Sequence, residues 1–260
     1  MRTTKGIKVP KKIPKKDREY PEYFTGAVPA GLVFWGNLED IRSILSKPPR
    51  PRPGMLDHLS EICFIGLLAY FGAFCRNHFA SLVNICPELV LELKRKGRDT
   101  TVDADAIVLL RGTSFCENPE NAVNRLGFLL AERYEFGTPK AVNSLYGDLL
   151  LVTPFSNDEK EQCERLLANR NLLVHHGGIY TGRYAGQTFK RRRIRQRVFF
   201  DSLVLQSKDV RAAARFLEGI ANKTSIATHA ALLRYMKENK ISSNAGKKLA
   251  IEALLWGTDL

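Results

Sequence analysis

A chain of 260 residues, 44% hydrophobic and 26% charged, has the composition of an ordinary globular protein, long for one domain and short for two. Its 40 Lys and Arg against 27 Asp and Glu leave a formal charge of +13, which favours a polyanionic partner: nucleic acid first, an acidic membrane surface or acidic protein second. Five cysteines without a C-x-x-C pair argue against a disulfide scaffold or structural zinc, and the absence of an apolar signal core leads us to expect a reducing, cytoplasmic setting.

In chain order, residues 1–24 carry seven Lys and Arg from Lys5 to Arg18 with Pro10 and Pro14 between them, so they read as a basic flexible tail. The spacing of Leu32, Trp35, Leu38, Ile41 and Leu45 predicts a helix over 30–46. "KPPRPRPG", 47–54, breaks it and reads as a stiff linker. A long helix is expected from about Met55 to Cys86, where Pro87 ends or kinks it. Its apolar run 62–75 is shorter than the roughly 20 residues a bilayer demands, so no membrane partner is expected and the run reads as a core helix. Gly66, Ala69 and Ala73 form a small-residue strip on it, suited to close approach of another helix. Helix resumes through "PELVLELKRK"; residues 97–106 are polar; shorter helices are expected at 119–134 and 139–151. The next helix is "SNDEKEQCERLLANRNLLVHH", with Ser156 or Asn157 as N-cap and Gly177 as left-handed C-cap. "RVFFDSLVLQ", 197–206, can be extended. Helices follow at 207–221, 225–238 and 244–256. With no strand–helix alternation, the expected fold class is all-α, a helical bundle.

The helix that ends in "RNLLVHHGG", 170–178, raises a specific question. At about 100° per residue, Arg170 falls at the centre of the apolar stripe of Cys163, Leu166, Leu167, Leu173 and Val174. None of its i±3 or i±4 neighbours is acidic, and a buried guanidinium cannot neutralise itself. Its anion must come from another element, another subunit or a ligand. Asn171 and His175 are i,i+4 neighbours on an adjoining face, whereas His176 projects to the opposite side with Asn169 and Leu172. A purely structural alternative pairs Arg170 with an acid at the core edge and lets His175 cap the helix.

"RNLLVHHGG" resembles the R-N-x-x-x-H form of the R-x(4–6)-H motif of HEPN domains, all-α domains of RNA-cutting toxins, defence systems and RNA-processing factors. "HLSEICFIGLLAYFGAFCRNHFASLVNICPELV" is similar to the long first helices of prokaryotic members, and "VFFDSLVLQSKDVRAAARFLEGIA" to the stretch after their motif helix. The resemblance covers roughly 55–222. It divides the chain into the tail 1–24, a HEPN-like domain 25–240 and a helical extension 241–260. It implies a metal-independent endoribonuclease, of toxin or antiviral type, with Arg170, Asn171 and His175 as catalytic residues. His176 fits the motif with one extra residue and is the alternative histidine. It further implies a homodimer acting on RNA, with an antitoxin or a nucleotidyltransferase as regulating partner. The alternative is a catalytically inactive module that binds RNA or a protein.

The implied chemistry suits these residue types. RNA carries its own nucleophile, and attack of the 2′-hydroxyl on the adjacent phosphate leaves a 2′,3′-cyclic phosphate and a 5′-hydroxyl. Histidine can move the proton, and arginine can hold two phosphate oxygens. Neither metal nor cofactor is needed. Beyond the motif helix, Lys190, Arg191, Arg192, Arg193, Arg195 and Arg197 put six cations in eight residues, after a loop with Tyr180, Arg183 and Tyr184. The cations suit the phosphodiester backbone and the tyrosines suit unpaired bases; the plain alternative is a solvated charge run.

Overall fold

A computed structural model describes residues 20–46, 58–102, 125–188 and 201–258. The expected tail up to residue 19, the 47–54 linker, the start of the 119–134 segment and the basic run 190–197 lie outside the described residues. Within them the fold is an all-α bundle: α1 (Ala30–Ser46), α2 (Leu59–Ile85), α3 (Leu89–Arg95), α4 (Leu126–Glu132), α5 (Pro139–Leu150), α6 (Asn157–His176), α7 (Gly182–Thr188), α8 (Ser207–Glu238) and α9 (Ala245–Ala253).

The long apolar helix α2 is the hub, packed against α1, α4, α6 and α8. By length and composition it could cross a membrane. In this fold one face of it is taken up by the bundle, with Phe64, Leu67, Phe74, Phe79, Leu82 and Val83 buried, while Ile62, Ala69, Tyr70 and Ala73 are exposed. Phe34, Leu38, Ile41 and Leu45 carry α1 onto it, and Phe34 meets the Phe71 and Phe74 rings at 5.8 and 5.6 Å. Each such ring withdrawn from water stabilises the fold by about 1.5–3 kcal/mol. Pro87 ends α2 at Cys86 as the sequence requires, and α3 starts two residues later.

His78, Asn84, Thr224 and Thr228 find partners inside this core, whereas the buried Ser225 hydroxyl has none among the described residues. His78 stacks on Phe74 and Tyr146, and its Nε2 lies 2.8 Å from the Thr228 hydroxyl. That hydroxyl donates its own proton to Thr224 O at 2.7 Å, so it accepts from His78 Nε2–H. Asn84 donates to Tyr23 O and accepts from Gly127 N at 2.7 Å. Gly127 is required there: a Cβ would sit 2.0 Å from Ala80 O. Among the described residues the close helix approach to α2 falls here and not at the Gly66/Ala69/Ala73 strip.

Three expectations are corrected. The helices at 207–221 and 225–238 are one helix, α8. Thr224 and Thr228 return their hydroxyls to carbonyls one turn back, at Ile220 and Thr224, so no cap interrupts the buried face. The segment expected as tail up to residue 24 enters the core by Tyr20: Tyr23 and Phe24 are buried, and Tyr20 meets the edge of Trp256 at 5.9 Å. The segment expected as an extension, described as far as residue 258, is equally integral. Ala250, Ile251 and Leu254 are buried, and Gly257, at φ +90°, lies so close to Gly31 that a Cβ would reach its carbonyl oxygen.

Candidate functional site

The motif helix α6 is closed at both ends by the residues the sequence marks. Ser156 accepts from Glu159 N, and the Glu159 carboxylate accepts from Ser156 N at 2.7 Å, a reciprocal capping box. Lys223 of α8 binds the same carboxylate. At the other end Gly177 takes φ +55° and Gly178 φ +84°. Gly178 N donates to Leu172 O, and Gly178 O accepts from Leu203 N at 2.8 Å. Tyr180 N donates to Asp201 O, and Ile179 and Ser202 form an isolated antiparallel bridge. The two glycines thus end the helix and turn the chain against the strand-like segment entering α8. Chain that leaves at Gly178 therefore returns beside the same helix end.

Between these caps α6 buries less than its pattern promises. Cys163 and Leu173 are buried, Leu166 and Leu167 half-buried, and Val174 is 45% exposed. Leu172, on the side away from Arg170, is buried. Arg170 is therefore half-buried at the margin of the packed stripe rather than enclosed at its centre. Its Nη1 donates to Asn171 Oδ1 at 2.9 Å, and it forms no ion pair among the described residues. The acid at the core edge that the structural alternative requires is absent among them. Asn171, His175 and His176 are all exposed, and neither imidazole has a hydrogen-bond or ion-pair partner among the described residues.

Arg170 opens onto a groove of 340 Å³ between α2, the segment before α5, and α6. One wall is the α2 stripe Ala69, Gly72, Ala73 and Arg76, spaced i, i+3, i+4, i+7. Ala69 and Ala73 are exposed, so the strip that the sequence suggests for a packing helix faces open space. Leu167 and Arg170 contribute from α6, and Phe136 and Phe155 add aromatic edges. Arg76 has no ion pair among the described residues either, so two uncompensated cations border an apolar hollow. Cys163 also lines it, but burial, with a smaller contribution from Glu164, pushes its thiol up to about 12, so it is no nucleophile at neutral pH.

The loop beyond α6 departs from expectation at one residue. Tyr184, expected to stack on an unpaired base, is 7% exposed. Its hydroxyl donates to Asn169 Oδ1 at 2.7 Å and its ring stacks on Tyr180 at 5.4 Å, 9° from parallel. It covers the Asn169/Leu172 side of α6 and has a packing role. Tyr180 is half-buried and Arg183 exposed. Of the six cations from Lys190 to Arg197, all lie outside the described residues; their flanks, Thr188 and Asp201, are the nearest described positions.

No family model matches the chain, and no curated protein or solved structure matches it. The chemistry of the site is therefore that of its own residues. Helical spacing identified Arg170 as a cation with no acid one turn away on its own helix. It missed Arg76, whose only signal was a charge at i+3 from the last residue of the small-residue strip.

Proposed function

We propose that the chain is a metal-independent endoribonuclease of HEPN type, with Arg170 as phosphate clamp, His175 as the proton-transferring group and Asn171 as the side chain that orients the arginine. The observation that carries this reading is an arginine with no acid partner among the described residues, followed within two turns of the same helix by two exposed imidazoles without partners among them. At half-exposure water can solvate the guanidinium, and no carboxylate among the described residues claims it, so it stays open to a ligand anion. Phosphate supplies the missing anion, and a bidentate guanidinium contact strengthens as the phosphorane gathers charge. The net charge of +13 supplies the long-range attraction. His176 remains the alternative proton carrier, being equally exposed.

The isolated histidines bear on the partner. An efficient general base is oriented by a second group, and neither imidazole has one within the described chain. A second copy facing α6 would supply it, so the active form in this proposal is a homodimer. An inactive RNA- or protein-binding module is the second reading, favoured by the same lack of orienting contacts. An antitoxin or nucleotidyltransferase partner would act on this exposed face.

The test is incubation of the purified protein with a mixed RNA pool in excess chelator. Cleavage is expected, with 2′,3′-cyclic phosphate and 5′-hydroxyl ends, and RNA with 2′-deoxy substitution at the cut site should resist. Arg170→Ala and His175→Ala should each abolish cutting while the circular dichroism spectrum is kept; if only His176→Ala is silent, the histidine assignment moves by one. Light scattering should give about twice the 29.3 kDa chain mass. Intact RNA under all conditions, with binding retained, would leave the binding-module reading in its place.

A further inference from the structure

Arg170 looks onto a hollow that phosphate chemistry alone does not require. A phosphate clamp needs cations and water; this groove has an apolar lining, with Phe136, Phe155 and Leu167 beside the side-chain-poor wall of Ala69, Gly72 and Ala73. We propose that the groove receives one unpaired base of the RNA strand, laid against the small-residue wall of α2, while Arg76 and Arg170 hold the phosphates on either side of it. This deepens the proposed ribonuclease function and rests on it.

Three observations converge. The first is size: 340 Å³ falls at the lower end of small-molecule sites, which run about 300–1,000 Å³, room for one base and its sugar but not for a stacked duplex. The second is shape. With no side chain beyond Cβ at three successive positions of one α2 face, the wall is low and flat, and a planar ring can approach the helix closely. Ala69 and Ala73 are exposed, and no helix among the described residues packs there. The third is charge. Arg76 and Arg170 come from two different helices, border the same hollow, and have no acid partner among the described residues. An apolar hollow flanked by two cations fits an anion that carries a flat apolar body, and in an RNA strand that unit is the nucleotide. Splayed bases are recognised in this manner, by stacking on apolar faces and guanidinium planes.

The groove can be filled without touching either cation. A Cβ at Gly72 would meet nothing within 4 Å, so Gly72→Leu adds bulk to the hollow and removes a helix-destabilising glycine. Ala73→Leu, on the same exposed wall, repeats the test if that variant fails to fold. The probes are two short fluorescent strands of equal length, blocked against cleavage by 2′-O-methylation: one with bases, one abasic throughout. The parent protein should bind the base-bearing strand about tenfold more tightly, the contribution of roughly one stacked base. Gly72→Leu should lose that ratio and keep its affinity for the abasic strand, whereas Arg76→Ala should weaken both. Equal binding of the two strands by the parent, or an unchanged ratio in Gly72→Leu, overturns the base site and leaves RNA binding intact. Binding of neither strand overturns the ribonuclease reading and the base site together.

Discussion

Replacing Arg170 by methionine separates a structural arginine from one held for a ligand. The one hydrogen bond the structure gives Arg170 is to the exposed Asn171 side chain at 2.9 Å. A solvent-accessible bond of that kind contributes about 0–1 kcal/mol. Methionine keeps an unbranched stem in the same place, so the apolar part of the side chain at the groove lip is retained. Removing a half-desolvated charge with no partner returns a comparable amount. The two contributions offset, and the net change should lie within about 1 kcal/mol, on the stabilising side. For a chain of this size that is a rise of about 2–4 °C at most in Tm.

The informative control is the same exchange at Arg98. That guanidinium donates from Nε to Asp148 Oδ2 at 2.8 Å and also to the Ser144 hydroxyl. Arg98→Met should cost about 1.5 kcal/mol, the contribution of a charge-assisted bond that leaves an acid behind. Urea unfolding followed by circular dichroism measures both variants beside the parent. If Arg170→Met loses more than about 2 kcal/mol, the arginine is anchored to the fold, and the inference from a missing anion to an RNA phosphate is refuted.

Acid stability should turn on His78. Burial lowers its pKa to about 4 from 6.5, so between those values the unfolded chain binds more protons than the folded one, and stability falls as pH falls through that window. The difference of about 2.5 units corresponds to roughly 3 kcal/mol, fully lost only below about pH 4 and without effect above 6.5. Urea titrations across the window should show this slope in the parent and a flatter one in His78→Phe; equal slopes would show that the ring is not kept neutral by the core. Glu159 acts in the same direction at lower pH, because Lys223 and the Ser156 cap outweigh its desolvation and hold its carboxyl below the usual value. Gly127→Ala should cost about 3 kcal/mol, since its Cβ would lie 2.0 Å from Ala80 O and α4 would have to leave α2. A Tm unchanged in that variant would mean that the α2–α4 contact is looser than described.

Local chemistry made much of this fold legible. Pro87, Ser156, Gly177 and the apolar spacing of 30–46 mark helix ends and faces, because caps and periodicity act within a turn or two of the residues that carry them. What periodicity cannot say is which neighbour covers a face. The small residues at 66, 69 and 73 read as a seat for a helix, yet the close approach falls at Gly127, a position with no pattern around it. Tyr184 carried the signature of an exposed aromatic among cations, but Asn169, fifteen residues earlier, offers its hydroxyl an acceptor that no local rule reveals. The break expected near residue 222 failed for a related reason: threonines that would favour a cap in water bond backward along the helix once buried.

The same limit explains why Arg170 was only half read. Its helix spacing gave the correct premise, a cation without an acid one turn away, and the inaccurate corollary, full enclosure at the stripe centre. Enclosure would have forced the fold to neutralise it, because a buried guanidinium must be paired. Half-exposure removes that compulsion: water solvates the charge until something better arrives. The position at the lip of an apolar hollow then has a consequence for discrimination. An incoming anion displaces that water and gains the guanidinium, but free phosphate gains nothing from Phe136, Phe155 or the α2 wall. Only an anion with an attached apolar body gains both. Duplex RNA keeps its bases stacked inside and gains only the first. Under the proposed base site, preference for unpaired strands would come from the hollow rather than from the arginine, and the two contributions are separable by filling the hollow while leaving the charge in place.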